Sequence, residues 1–185
     1  LNLSIETLDG LIKHNGPIFD LSDYDKILGK NFFKKKINFS LEPSLEAQIS
    51  AISDDIAYNS HDLEDGLKSK LFTIQDLKGI PILDEIIRKH QKFYKKVNRD
   101  LVSRQIIRDI INEMVKDVVS NASKNIKKGN YKNLKDIHKA KRQLVCFSEK
   151  MNIFDISIKE FLRNNMYYSK SVLKKTNEGK KMIET

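Results

Sequence analysis

Between Ser44 and Leu67 the chain repeats at a helical period on two sides, with a different chemistry on each. Ile49, Ile52, Ile56, Leu63 and Leu67 gather on one side of such a helix. Asp54, Tyr58, His61, Asp62 and Asp65 gather on the other, at spacings i, i+4, i+7, i+8 and i+11. At about 100° per residue the second set spans an arc of roughly 100°. The reading is therefore a helix with an apolar back and a front of carboxylates, a phenol and an imidazole. Such a front suits hard cations, sugar hydroxyls and proton transfer.

The rest of the chain repeats the same period. Ser4 and Thr7 flank an apolar series, Ile5, Leu8, Leu11 and Ile12, that closes at Asn15-Gly16-Pro17, a strong helix stop. Residues 16–43 read as an irregular connection with Gly29 and the run Lys34-Lys35-Lys36, a solvated loop or a phosphate contact. Helix resumes after Pro43 and extends to about Phe72, with Gly66 expected to bend or divide it. A further helix is expected from Ile82 to about Val97, carrying Phe93 and Tyr94, and a longer one from Arg99 to Lys128, stopped by Gly129-Asn130. Short helix at Leu134–Lys139, an apolar segment at Leu144–Phe147, a helix from Ile153 to Met166 and a last one from about Lys170 complete the reading. No stretch alternates with period two, and three prolines and seven glycines are too few for a turn-rich sandwich. The fold class is all-α, an irregular multi-helix bundle.

Charge divides the chain. Residues 1–65 carry −6 and residues 66–185 carry +15, giving the net +9. The acidic part suits cations. The basic part suits phosphates, nucleic acid or an acidic surface, or it merely solvates helix faces. Tyr94, Tyr131, Tyr167 and Tyr168, interleaved with lysines, keep a single-stranded nucleic-acid module open as an alternative. A lone cysteine, Cys146, excludes an intramolecular disulfide and fits a reducing, cytoplasmic compartment; within Leu144-Val145-Cys146-Phe147 it reads as a small buried residue. No apolar run reaches membrane-spanning length. The chain starts at Leu1 inside an apparent helical pattern and stops without a capping signal, so a piece of a longer protein is expected.

Three segments carry a resemblance. Leu3-Ser4-Ile5-Glu6-Thr7-Leu8-Asp9-Gly10-Leu11-Ile12-Lys13-His14-Asn15-Gly16-Pro17, then Ser44-Leu45-Glu46-Ala47-Gln48 running into Asp54-Asp55-Ile56-Ala57-Tyr58, then Phe161-Leu162 through Asn165-Met166-Tyr167. Together they resemble bacterial deoxyguanosinetriphosphate triphosphohydrolase-like proteins, a family of the HD superfamily, in its C-terminal part. The resemblance implies a helical enzyme that holds a divalent metal, Mg or Mn, through a His, a His-Asp pair and a later Asp. It implies cleavage of a deoxynucleoside triphosphate to deoxynucleoside and inorganic triphosphate, and a homo-oligomer.

By resemblance Asp54 is the later metal Asp, Tyr58 packs under the deoxyribose, and Asp62 accepts a hydrogen bond from the 3′-hydroxyl. Residues 1–72 then hold the end of the catalytic core and 73–185 a helical continuation. Arg104 and Arg108, one turn apart, are candidates for the phosphates, against plain salt bridging to Asp100 or Asp109. Asp55 and Asp65 read as supporting or capping groups. His61 reads as a solvent-facing or hydrogen-bonded histidine, and His14 as a helix-end cap. The other metal ligands of the family have no counterpart here, since His14, His61, His90 and His138 lack ligand spacing. The piece alone is expected to be inactive and to hold no metal tightly.

Overall fold

The computed structural model describes residues 3–23, 26, 37–90 and 99–184. Lys34–Lys36, Gly29, Phe93, Tyr94 and the expected helix end near Val97 lie outside them. Among the described residues every regular element is helical: α1 (Ile5–Ile12), α2 (Leu45–Lys68), α3 (Leu83–His90), α4 (Arg99–Gly129), α5 (Leu134–His138), α6 (Glu149–Leu162), a π-helical turn (Arg163–Tyr167) and α7 (Lys170–Ile183). Among the described residues no helix is long and apolar enough to cross a membrane. The chain divides into two compact units. One comprises residues 1–55 and 118–147, the other residues 56–117 and 148–185. They are called unit 1 and unit 2.

Unit 1 is held by polar side chains that reach backbone. The Ser4 hydroxyl caps α1 by accepting from the Thr7 amide, and Gly16 takes φ +103° at the turn after it. Lys13, at the end of α1, is buried. Its ammonium pairs with Asp9 at 2.6 Å and donates to the carbonyls of Asn38 and Leu41 at 3.1 and 3.2 Å. Those bonds satisfy a charge that burial would otherwise penalise by several kcal/mol.

Gln48 does similar work from α2. Its amide oxygen accepts from the Leu144 and Val145 amides at 2.8 and 3.0 Å, and its amide nitrogen donates to the Pro43 carbonyl at 2.9 Å. Asn121 and Asn125 of α4 donate to the Cys146 and Leu144 carbonyls at 2.9 and 3.0 Å. The Leu144–Phe147 segment is thus a non-helical strap, with Leu144, Val145 and Phe147 buried. Cys146 is half-exposed beside the two asparagines, which corrects its expected burial.

Unit 2 is held by apolar packing. Leu63, Leu77, Leu83, Ile86, Ile106, Ile110, Met114, Phe154, Ile158 and Leu162 are each less than 2% exposed. α6 starts at Glu149, four residues before the expected Ile153. Ser148 caps it by accepting from the Met151 amide, and Asp117 accepts from both the amide and hydroxyl of Ser148 at 2.7 and 2.6 Å. α3 starts at Leu83 because Ile82 lies at φ +71°, outside the right-handed helical region.

Gly66 does not divide α2, which is continuous to Lys68. A Cβ at residue 66 would lie 2.2 Å from ring atoms of Phe72, and Phe72 packs edge-on to Phe161 at 4.9 Å. The glycine serves a close approach of that ring. Lys70, at φ 57°, turns the chain away, so the helix ends before the expected Phe72.

Candidate active site

The front of α2 is accessible along its length. In unit 1 the Asp54 side chain is 56% exposed, and its Oδ2 lies 3.3 Å from His14 Nε2. His14 follows α1 as expected, but the ring faces a carboxylate instead of capping carbonyls. That pairing escaped the sequence reading, because the two residues lie 40 positions apart. His14 also lines a cavity of about 770 Å³ together with Leu11, Ala47, Ser50, Ile126 and Leu134. Asp55 is exposed beside Asp54.

In unit 2 Tyr58 is 69% exposed, so a flat aromatic face is open to a ligand. His61 and Asp65 are exposed as well. Asp62 differs from its neighbours. It is half-buried, and its Oδ2 accepts a hydrogen bond from the hydroxyl of Tyr167 in the π-helical turn. Burial, then the Asp62 hydrogen bond and charge, push the Tyr167 phenol up to about 12. Tyr167 therefore keeps its proton and remains a donor. The sequence reading used Tyr167 only to carry the resemblance and as one aromatic among four.

The apolar back needs one correction. Ile49 is 52% exposed, while Gln48, Asn59 and Ser60 are buried among Ala47, Ile56 and Leu63. The buried side of α2 thus carries more polarity than the pattern foretold. Asn59 donates to Asp155 at 2.7 Å, and Lys159 pairs with the same carboxylate at 2.9 Å, which explains how an amide and an acid are accommodated within unit 2.

Arg104 and Arg108 are both exposed on α4. Glu64 of α2 bonds to Lys68 at 2.8 Å. Its carboxyl is held below the ordinary range by that bond first, against burial, with the charges of Lys68, Arg104 and His61 adding. Arg104 therefore lies within electrostatic reach of α2. Asp109, weighed as a partner for these arginines, bonds instead to His90 at 2.9 Å and Gln105 at 3.2 Å.

Among the described residues no group of three or more His, Cys, Asp or Glu side chains is placed to hold a metal ion. Asp54 with His14 supplies one carboxylate and one imidazole, which falls short of a catalytic divalent-metal shell. These residues alone do not complete the implied centre. In unit 2 the front of α2 carries an exposed aromatic ring, Tyr58, and an anchored carboxylate, Asp62, one helical turn apart.

No family model matches the chain. A Pelagibacter ubique protein named deoxyguanosinetriphosphate triphosphohydrolase-like is 50% identical over 183 residues, 99% of this chain and 49% of its own length. Proteins of the same name from Neorickettsia sennetsu and Bartonella henselae are 38% and 34% identical, each over 100% of this chain and 47% of their own length. The chain spans about half the length of the curated relatives it matches. Along its full length it is a relative of the deoxyguanosinetriphosphate triphosphohydrolase-like proteins.

Proposed function

We propose that this chain is the C-terminal part of a metal-dependent deoxynucleoside triphosphate triphosphohydrolase that releases deoxynucleoside and inorganic triphosphate. Residues 1–72 end its HD-type catalytic core and residues 73–185 continue it as helices. The observation that carries the reading is the ladder Asp54, Tyr58, Asp62 on the accessible side of α2. Each member is the residue type its task requires, one turn from the next.

Asp54 contributes one carboxylate toward a Mg or Mn ion, and the remaining ligands come from the other half of such a protein. A cation held there would offset triphosphate charge and supply an activated water. Tyr58 presents its ring to the deoxyribose. Asp62, acceptor-only when ionised, takes the 3′-hydroxyl. Arg104, and Arg108 one turn on, supply charged donors for phosphate oxygens. The whole protein acts as a homo-oligomer in the cytoplasm, and the isolated piece releases no triphosphate.

Asp54→Ala in the full-length protein tests the reading. Loss of triphosphate release by at least 100-fold, with the thermal midpoint unchanged, is expected, as for removal of one metal carboxylate (about 3 kcal/mol or more). Unchanged turnover removes Asp54 from the metal shell. The nucleic-acid alternative draws support from α7, where exposed Lys170, Lys174, Lys175, Lys180 and Lys181 follow exposed Tyr168. It predicts single-strand binding by this chain that weakens steeply with salt.

A further inference from the structure

We propose that Tyr167 is a positioning residue: its hydroxyl fixes the Asp62 carboxylate through Oδ2 so that Oδ1 is presented to the sugar hydroxyl of the substrate. The identity of that ligand rests on the triphosphohydrolase reading above. The positioning rests on three observations in unit 2.

The first is the backbone. α6 buries Met151, Phe154, Asp155, Ile158 and Leu162, the usual three- and four-residue steps of one helix face. Tyr167 lies five residues after Leu162. In a continuing α-helix that step leaves a side chain about 140° round from Leu162. The chain instead widens over Arg163–Tyr167 into a π-helical turn, and the Tyr168 amide donates to the Arg163 carbonyl at 3.1 Å, five residues back. A five-residue repeat returns Tyr167 toward the side of Leu162. Such turns cost helix stability and recur where a side chain must be re-aimed for function.

The second is the bond itself. A surface Asp on a helix ordinarily samples several rotamers. Asp62 is held by a hydroxyl contributed from the far end of the chain, on the exposed ring of Tyr167. A carboxylate has two oxygens, and anchoring one leaves the other with a defined direction and its lone pairs available. The phenol does not ionise at working pH, so the donor is permanent.

The third is the neighbour. Tyr58 stands one turn before Asp62 with its ring open to solvent. A fixed acceptor one turn from a flat apolar surface is what a sugar, with one hydroxyl edge and one apolar face, requires.

The test compares two nucleotides on the full-length protein, dGTP and its 2′,3′-dideoxy analogue, which lacks the hydroxyl in question. Tyr167→Phe is expected to lower kcat/KM for dGTP about tenfold, mainly through KM, as for one mispositioned hydrogen bond to a charged acceptor. The dideoxy analogue should change by less than twofold. Asp62→Asn should erase the preference for dGTP in the same way, and the double variant should lose no more than Asp62→Asn alone. Equal losses on both nucleotides, no loss on either, or a Tyr167→Phe protein that fails to fold assigns the bond to structure and overturns the proposal. A wild-type protein inactive on both nucleotides overturns the triphosphohydrolase reading and this inference with it. Wild-type turnover with an indifferent Tyr167→Phe overturns this inference alone.

Discussion

Unit 1 and unit 2 reach stability by different routes. Of the twelve largest fully buried side chains among the described residues, ten belong to unit 2 and are apolar; unit 1 has Leu144 and a lysine, Lys13. Unit 2 packs helices, whose backbone groups satisfy one another, so its interior is mainly apolar and its buried Asn59 and Asp155 bond to each other. Unit 1 includes the irregular segments 37–44 and 139–147, whose amides and carbonyls need partners. Gln48, Lys13, Asn121, Asn125 and His138 supply them. A unit built from loops spends polar side chains on backbone, and this is why a first-turn glutamine and a helix-end lysine are buried.

The contrast is broken most forcefully from the unit 2 side. Phe154→Ala removes a fully buried ring and should cost about 4 kcal/mol, read as a lowered urea midpoint. A loss below about 1 kcal/mol would mean that unit 2 is not held by its apolar interior.

In unit 1 the comparable lesion is polar. Gln48→Leu keeps size but leaves the Leu144 and Val145 amides without their acceptor, at a cost of about 3 kcal/mol. Hydrogen exchange should accelerate at those two amides first. Exchange unchanged there would deny the amide its role.

Glu42 gives a smaller effect of opposite sign. It is buried, its Oε2 has no hydrogen-bond partner among the described residues, and burial holds its carboxyl above the ordinary range, with Lys13's charge offsetting part. A raised folded value means that the charged form weakens the fold. Stability falls as pH rises from the unfolded glutamate range through the raised folded one. Glu42→Gln should therefore stabilise the chain by about 1 kcal/mol at pH 7 and by little at pH 4. Equal effects at both pH values would mean that the carboxylate is not penalised.

Asp109 in unit 2 gives the mirror case with the least effect. Burial pushes it up, but bonds from His90 and Gln105 and the nearby His90 and Lys89 charges outweigh that and hold it low. A depressed folded value contributes stability above the unfolded aspartate range that is lost as pH falls through the folded one. Asp109→Asn should cost less than about 1 kcal/mol at pH 7, fading toward acid, in thermal melts at low salt. A loss that grows toward acid would reverse the assignment.

The sequence spoke clearly where a pattern is local. The Ser4 cap, the Asn15-Gly16-Pro17 stop, the Gly129-Asn130 end and the two-sided helix from Leu45 all follow from short-range chemistry. It misled where the decisive partner is distant. Ile49 looked interior because it matches the period, yet Gln48 took the buried place once Leu144 and Val145 offered amides. Gly66 looked like a hinge because the Phe72 ring that needs its bare Cα cannot be seen in a helical wheel. Of the candidate site, the one-turn ladder was legible. The His14–Asp54 and Tyr167–Asp62 pairings were not, since nothing within a window of ten residues announces them.

The order in which the chain visits the two units has a practical outcome for anyone wishing to study them apart. Unit 1 takes residues 1–55 and 118–147, so α2 and α4 each begin in one body and finish in the other. Progressive deletion from either terminus never yields unit 2 whole and free of its companion. Isolating it takes a splice that joins Asp117 to Ser148, and Asp117 already accepts hydrogen bonds from that serine. The protein carries, at its own crossover point, the natural place for a designed ligation.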